Sequence, residues 1–226
     1  MEEGVKFMIP KREYDIDVVF CLDLTGGAHY LLDQFKNSCL NIFDGIGSAF
    51  EEFDRSIRNF RVRIVGFRDF IDDEALLETE FFTLPEQTEE FMRVVDSLEA
   101  CGGGDCPENG LEALALAIKS PWTANEGLKR HVICVITDAP ALDFNARVVC
   151  PNYPVGMPKD TNELYEWYHT GVGTLDNRAK RLVLLAPKDY NWSEIGETWD
   201  NCCHIPVSTN SDIEEIFDRI GDIIRS

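Results

Sequence analysis

No apolar run in this 226-residue chain approaches the ~18 residues that a membrane-spanning helix needs; the longest are of strand length. The amino terminus, Met1-Glu2-Glu3-Gly4-Val5-Lys6, has no basic region leading into an apolar segment, so the sequence predicts no signal peptide and a cytoplasmic location. No stretch rich in Pro, Gly or Ser divides the chain, and neither an internal repeat nor a low-complexity segment is present. One domain over residues 1–226 is expected, with residues 1–12 as an N-terminal extension. Positive charge is scarce as well. Lys and Arg number 21 against 41 Asp and Glu, a formal charge of -20. That balance argues against nucleic acid and anionic membrane as partners, since both are bound by neutralising phosphates. Basic partners or cations fit better, although most of these acids need do no more than keep the chain soluble.

Cysteine is not scarce, but the eight residues are scattered and Cys21 and Cys134 fall inside apolar runs, where a thiol acts as a small hydrophobe. No disulfide framework is expected. Cys101 and Cys106 bracket Gly102-Gly103-Gly104-Asp105, and Cys202-Cys203-His204 is too crowded for the usual zinc spacing.

Strand and helix patterns alternate along the chain. Val18 to Leu22 and His131 to Ile136 are continuous apolar runs, as in strands buried on both faces. Arg61 to Phe67 alternates, and Glu80 to Leu84 reads as a short edge strand; Arg181 to Pro187 and Cys203 to Val207 follow later. Leu31, Leu32, Phe35, Cys39, Ile42, Ile46, Phe50 and Phe53 mark a long amphipathic helix. Others are expected from Glu86 to Leu98, from Asp105-Cys106-Pro107-Glu108 onward by a capping-box-like start, over 161–168, and over an Ile/Phe stripe from 213 to 224 capped by Ser211 or Asp212. The expected class is α/β, a mostly parallel sheet with helices on both faces in a Rossmann-like three-layer sandwich. Pro140, Pro151, Pro154 and Pro158 make 139–161 a long irregular excursion, of the kind that is more often functional than idle. Tyr153, Tyr165, Trp167 and Tyr168 near it form either a partner surface or a packed cover over the sheet.

Both buried runs end in an acid. Asp23-Leu24-Thr25-Gly26-Gly27 closes the first and Thr137-Asp138-Ala139-Pro140 the other, so two carboxylates reach the edge where a parallel sheet presents its ligand crevice. Oxygen ligands there suit a hard cation. With no cation, two facing acids repel and one tends to hold a proton. Arg68 and Asp69 follow the second strand onto the same edge, as a salt bridge or as ligands.

The order of these motifs resembles von Willebrand factor type A domains and their metal-ion-dependent adhesion site: Asp23-Leu24-Thr25-Gly26-Gly27, the long helix, Val65-Gly66-Phe67-Arg68-Asp69, Gly102-Gly103-Gly104-Asp105-Cys106-Pro107-Glu108, then Ile136-Thr137-Asp138. The glycine string is similar to hemicentin-like and alpha-kinase-associated members, and the C-terminal half to stand-alone bacterial ones. The resemblance implies a Mg²⁺ or Mn²⁺ site with Asp23, Thr25 and Asp138 as ligands, Asp105 as a substitute ligand, and Gly26, Gly27, Gly103, Gly104, Arg68 and Asp69 in the metal loops or the partner surface. Two positions depart from the pattern. Gly27 stands where a second hydroxyl belongs, and the second-loop Thr has no counterpart, with Asp105 or Cys106 nearby instead. Since Mg²⁺ takes about six oxygens near ~2.1 Å, the site is expected to be weaker, wetter or empty.

Three functions remain open on the sequence. The first is a non-enzymatic adaptor that docks another protein at a cation. The second is a degenerate domain that docks its partner through 139–161 without metal. The third is a metal-dependent phosphatase with Asp23 as nucleophile, which Thr25 opposes by standing where a second Asp belongs.

Overall fold

In the computed structural model the described residues are 11–72, 74–103, 106–144, 146–208 and 211–225. Seven strands form one sheet: β1 (Arg12–Asp23), β2 (Arg55–Phe67), β3 (Leu76–Glu78), β4 (Phe82–Leu84), β5 (Leu128–Ile136), β6 (Lys180–Ala186) and β7 (Cys202–Pro206). The order is β3-β2-β1-β5-β6-β7, with β4 also on β2. All neighbours are parallel except β3 and β4, which run antiparallel along the outer side of β2. The expected mostly parallel α/β class is what the chain adopts.

Residue parity decides which helix each strand side chain meets. Val18, Phe20, Leu22, Val62, Ile64 and Cys134 share one core with α1 (His29–Glu51), α2 (Thr88–Ser97) and α6 (Glu214–Arg225). Val19, Cys21, Val65, Ile133, Val135 and Leu184 face α3 (Gly110–Ile118), α4 (Thr161–Thr170) and α5 (Tyr190–Thr198). Each fully buried side chain of this kind contributes about 1.5–3 kcal/mol. Helix α6 packs so closely on α1 that a Cβ at Gly221 would stand 2.8 Å from Gly45 O. Buried Gln34 of α1 donates to Ser211 O at 2.9 Å and accepts from Ile213 N at 2.7 Å, tying down the approach to α6. Among the described residues no helix is long and apolar enough to cross a membrane.

Several elements differ from expectation. Helix α2 begins at Thr88 because Gln87 closes a turn on Thr83, giving its N–H to Thr83 O and accepting from Thr83 N. Helix α3 begins at Gly110. Glu108 instead bridges to Ala141, with Glu108 N on Pro140 O and Leu142 N on Glu108 O, so the chain is still extended where a capping box was expected. The edge strand expected over Glu80–Leu84 is β4, shortened to Phe82–Leu84, and a further strand that was not expected, β3, precedes it at Leu76–Glu78. Helix α5 was not expected at all; Asp189 caps it by accepting from Trp192 N. Among the described residues the excursion between β5 and α4 is irregular apart from the Ala141 bridge, and the aromatic group near it is a packed cover. Tyr168 is buried and stacks on Trp199 at 4.8 Å, Tyr165 meets Trp199 edge-on, and Tyr153 meets Phe70. All eight cysteines are free thiols.

At the opposite, amino edge of the sheet, buried Asp15 accepts from Arg58, Asn59 and Asn125. Burial pushes its pKa up, but these hydrogen bonds more than reverse that and bring it from 3.8 to about 2. A carboxylate lowered on folding stabilises the protein fully above its unfolded pKa and loses that contribution as pH falls through the folded one. Asp15 therefore adds stability above about pH 4 that fades toward pH 2. Thermal melts from pH 5 to pH 2 should show a shallower acid loss in Asp15→Asn than in the parent, with the parent more stable at neutral pH; parallel curves would refute this role.

Candidate metal centre at the carboxyl edge of the sheet

The chain leaves β1 through α1 toward β2 on one side, and later reaches β5 on the other side of β1 by way of α3. Helices depart to opposite faces at this point, so the carboxyl ends of β1 and β5 border the crevice where doubly wound sheets take ligands. Register places Leu22 beside Ile136, which sets Asp23 against Thr137 and Asp138.

Asp23 is only 3% exposed. Its Oδ1 accepts from Thr25 N at 2.9 Å and Thr25 Oγ1 at 2.6 Å, and its Oδ2 from Thr137 Oγ1 at 2.6 Å. Burial raises its pKa above the ordinary carboxylate value; the Thr137 and Thr25 hydrogen bonds oppose the shift, and the charge of half-buried Asp138 adds to it. The donor set is thus two carboxylates and two hydroxyls, oxygen only, which suits a hard cation. Among the described residues no three His, Cys, Asp or Glu side chains are grouped to hold a metal ion. The chemistry fits a divalent ion that keeps much of its water, not a closed cage.

The glycine loop packs against these groups. Gly26 N donates to Gly102 O at 3.0 Å and Cys101 N to Leu24 O at 2.9 Å. Gly103 has φ +65°, and a Cβ there would lie 2.9 Å from both Glu108 Oε1 and Thr25 Cβ, so glycine is required for conformation and for space. Gly27 is exposed, with nothing within 4 Å of a Cβ; a hydroxyl-bearing side chain has room there. Gly104 and Asp105 lie outside the described residues. His29, the histidine nearest in sequence, is exposed, and its Nδ1 lies 3.1 Å from Gly26 O.

Arg68 and Asp69 are on this edge but do not pair with each other. Arg68 spends its guanidinium on three carbonyls, Leu24 O at 3.0 Å, Glu74 O at 2.6 Å and Glu99 O at 2.8 Å. Asp69, fully buried, takes a two-pronged ion pair from Arg147 at 2.7 and 2.5 Å. Long-range partners displaced the local salt bridge. Nearby, Glu112 is buried beside Tyr153 and Asn109, and burial raises its pKa. Asn152 donates to Asp72 O, and Asp72 accepts from Gly103 N at 2.8 Å. Arg147, Asn152 and Tyr153 thus strap the irregular segment to the carboxyl edge of the sheet.

Thr137 and Glu108 were not singled out as site residues from the sequence. For Thr137 the signal was its place beside Asp138; hydroxyls were sought only in the loop after the first strand and in the glycine loop.

Residues 17–149 match the family model of the von Willebrand factor A domain. The chain belongs to this family. The chain is also similar to alpha-protein kinase vwkA of Dictyostelium discoideum, 25% identical over 143 residues, 63% of this chain but 21% of the kinase. Among solved structures, the pilus adhesin SpaC of Lactobacillus rhamnosus GG superposes with a TM-score of 0.59 at 12% identity, over 96% of this chain and 31% of the adhesin. Proximal thread matrix protein 1 of the mussel byssus gives 0.51 at 12% identity, over 94% of this chain and 49% of that protein. At such identities the likeness is one of fold, and the chain spans less than half the length of each.

Removing Arg147 would leave the Asp69 carboxylate in a site with no solvent exposure, so Arg147→Ala is expected to cost about 3 kcal/mol. It should also open the strap to limited proteolysis between 144 and 160; parent-like melting and parent-like cleavage would contradict the clasp.

Proposed function

We propose that this von Willebrand factor A domain is a non-enzymatic protein-interaction module of the cytoplasm, with a divalent cation, Mg²⁺ or Mn²⁺, at its carboxyl edge. Asp23, Thr25, Thr137 and Asp138 would hold the ion, and Asp105 joins this set by its place in the glycine loop. The observation that carries the reading is the delivery of two acids by β1 and β5 to the switch point, one of them buried at 3% exposure. A bound cation would offset their mutual repulsion and offer an open position to an acidic side chain of a partner. Thr25 and Thr137 orient the Asp23 oxygens, and Asp72 holds Gly103, so the loops around the ion need little rearrangement.

Asp23 as a phosphatase nucleophile finds no support in this geometry, since both its oxygens accept hydrogen bonds and it is almost fully buried. A second reading is docking through the strap without metal, where Val149 and Val155 are exposed at 89% and 96% on a segment anchored to the carboxyl edge by Arg147 and Asn152.

Isothermal titration of Mg²⁺ and Mn²⁺ into chelator-stripped protein separates the two. The cation reading predicts saturable binding, abolished in Asp23→Ala. It also predicts tighter binding in Gly27→Ser, where the added hydroxyl restores the missing oxygen. Absence of binding at millimolar ion in a folded parent would overturn it in favour of the strap.

A further inference from the structure

A groove runs along the outer edge of the sheet, on the far side of β2 from the switch point. β3 is the outermost strand there among the described residues. Arg68 N donates to Ala75 O and Thr79 N to Ile64 O, so the alternation of an antiparallel ladder turns the backbone groups of Leu76 and Glu78 away from β2. Facing that edge is the end of α2, and between them lies an open space of about 690 Å³ lined by residues of both, with Leu24, Arg68, Cys101 and Asn152 at its inner end. Leu24, Ala75, Leu77 and Leu98 give it an apolar floor, whereas Glu74, Glu78 and Glu99 are exposed on its rim. Arg68, the cation within the groove, is already forked onto three backbone carbonyls.

We propose that this groove binds an extended segment of a partner protein with lysine or arginine at alternate positions, added to β3 as a further strand. An open edge strand is a template for another chain, and in strand addition the main chain supplies affinity while alternate side chains supply specificity. The acidic rim sets the charge of the occupant. Glu78 is already paired with Arg63, so the charge that selects the occupant is that of Glu74 and Glu99: an acidic segment is repelled by them on a chain of formal charge -20, and a neutral one leaves these two unmatched. A second copy pairing edge to edge would bring two acidic rims together, which like-charge repulsion opposes. The aliphatic stems of lysine or arginine match the apolar floor, and their heads reach the rim. The groove adjoins the cation site at Leu24, which lies between Asp23 and Thr25, but pairing with the β3 backbone uses none of the proposed cation ligands and needs no cation.

The test is fluorescence anisotropy with a labelled short peptide of alternating lysine and valine, on the whole chain in excess chelator, so that the result is independent of any cation. Saturable binding is expected, about tenfold or more tighter than for the glutamate and valine counterpart, and weakened about tenfold by Glu74→Lys combined with Glu99→Lys. Both glutamates are exposed, so this variant should melt as the parent does. N-methylation of the peptide amides that face β3 should abolish binding with no change to the protein. Failure of the lysine peptide to bind, equal binding of the two peptides, or indifference to N-methylation or to charge reversal would each overturn the proposal. So would a dimer, seen by sedimentation, that the same charge reversal abolishes, since it would assign the groove to a second copy.

Discussion

The hydrogen bonds that converge on Asp23 organise the carboxyl edge of this domain. A carboxylate at 3% exposure survives there only because hydroxyls from two strand ends close on it, one from the turn after β1 and one from β5. They lock the turn that starts α1, set the end of β5 against the end of β1, and present the glycine loop with a surface that only glycine fits at 103. The register of two buried strands thus becomes a defined array of oxygens.

Around that array, long-range contacts replace local ones. Arg68 binds carbonyls from three segments in place of the adjacent acid, and Asp69 takes Arg147 from 78 residues away. Asp72 joins the two systems by accepting from Gly103 while its own carbonyl accepts from Asn152. The irregular segment is therefore part of the edge, held by buried polar groups that are costly to separate, and its exposed valines are presented on an anchored strap.

What the sequence made legible was whatever depends on period and burial. The runs at Val18–Leu22 and His131–Ile136 could not be amphipathic, so they read as central strands, and the acids at their ends could be placed on one edge before any coordinates. Helix α1 was equally plain from its apolar spacing. What escaped depended on partners distant in the chain. The expected helix start at Asp105 failed because Glu108 pairs with Ala141, an extended contact that no local signal announces. Helix α5 was missed although Asp189, Trp192, Ile195 and Trp199 carried a cap and a helical spacing, because the preceding Pro187 read as the end of a strand and nothing more. Thr137 was read only as the residue before Asp138; its hydroxyl reaches Asp23 because β5 lies beside β1.

A donor set of two carboxylates and two hydroxyls is worth its burial if a cation shares it. Anomalous diffraction from crystals of the chain grown with Mn²⁺ tests this most directly. The account predicts a manganese peak between the carboxylates of Asp23 and Asp138, with the Thr25 and Thr137 hydroxyls beside it. No peak at that edge in a manganese-saturated crystal, with Asp23 bonded to the two threonines alone, would contradict it.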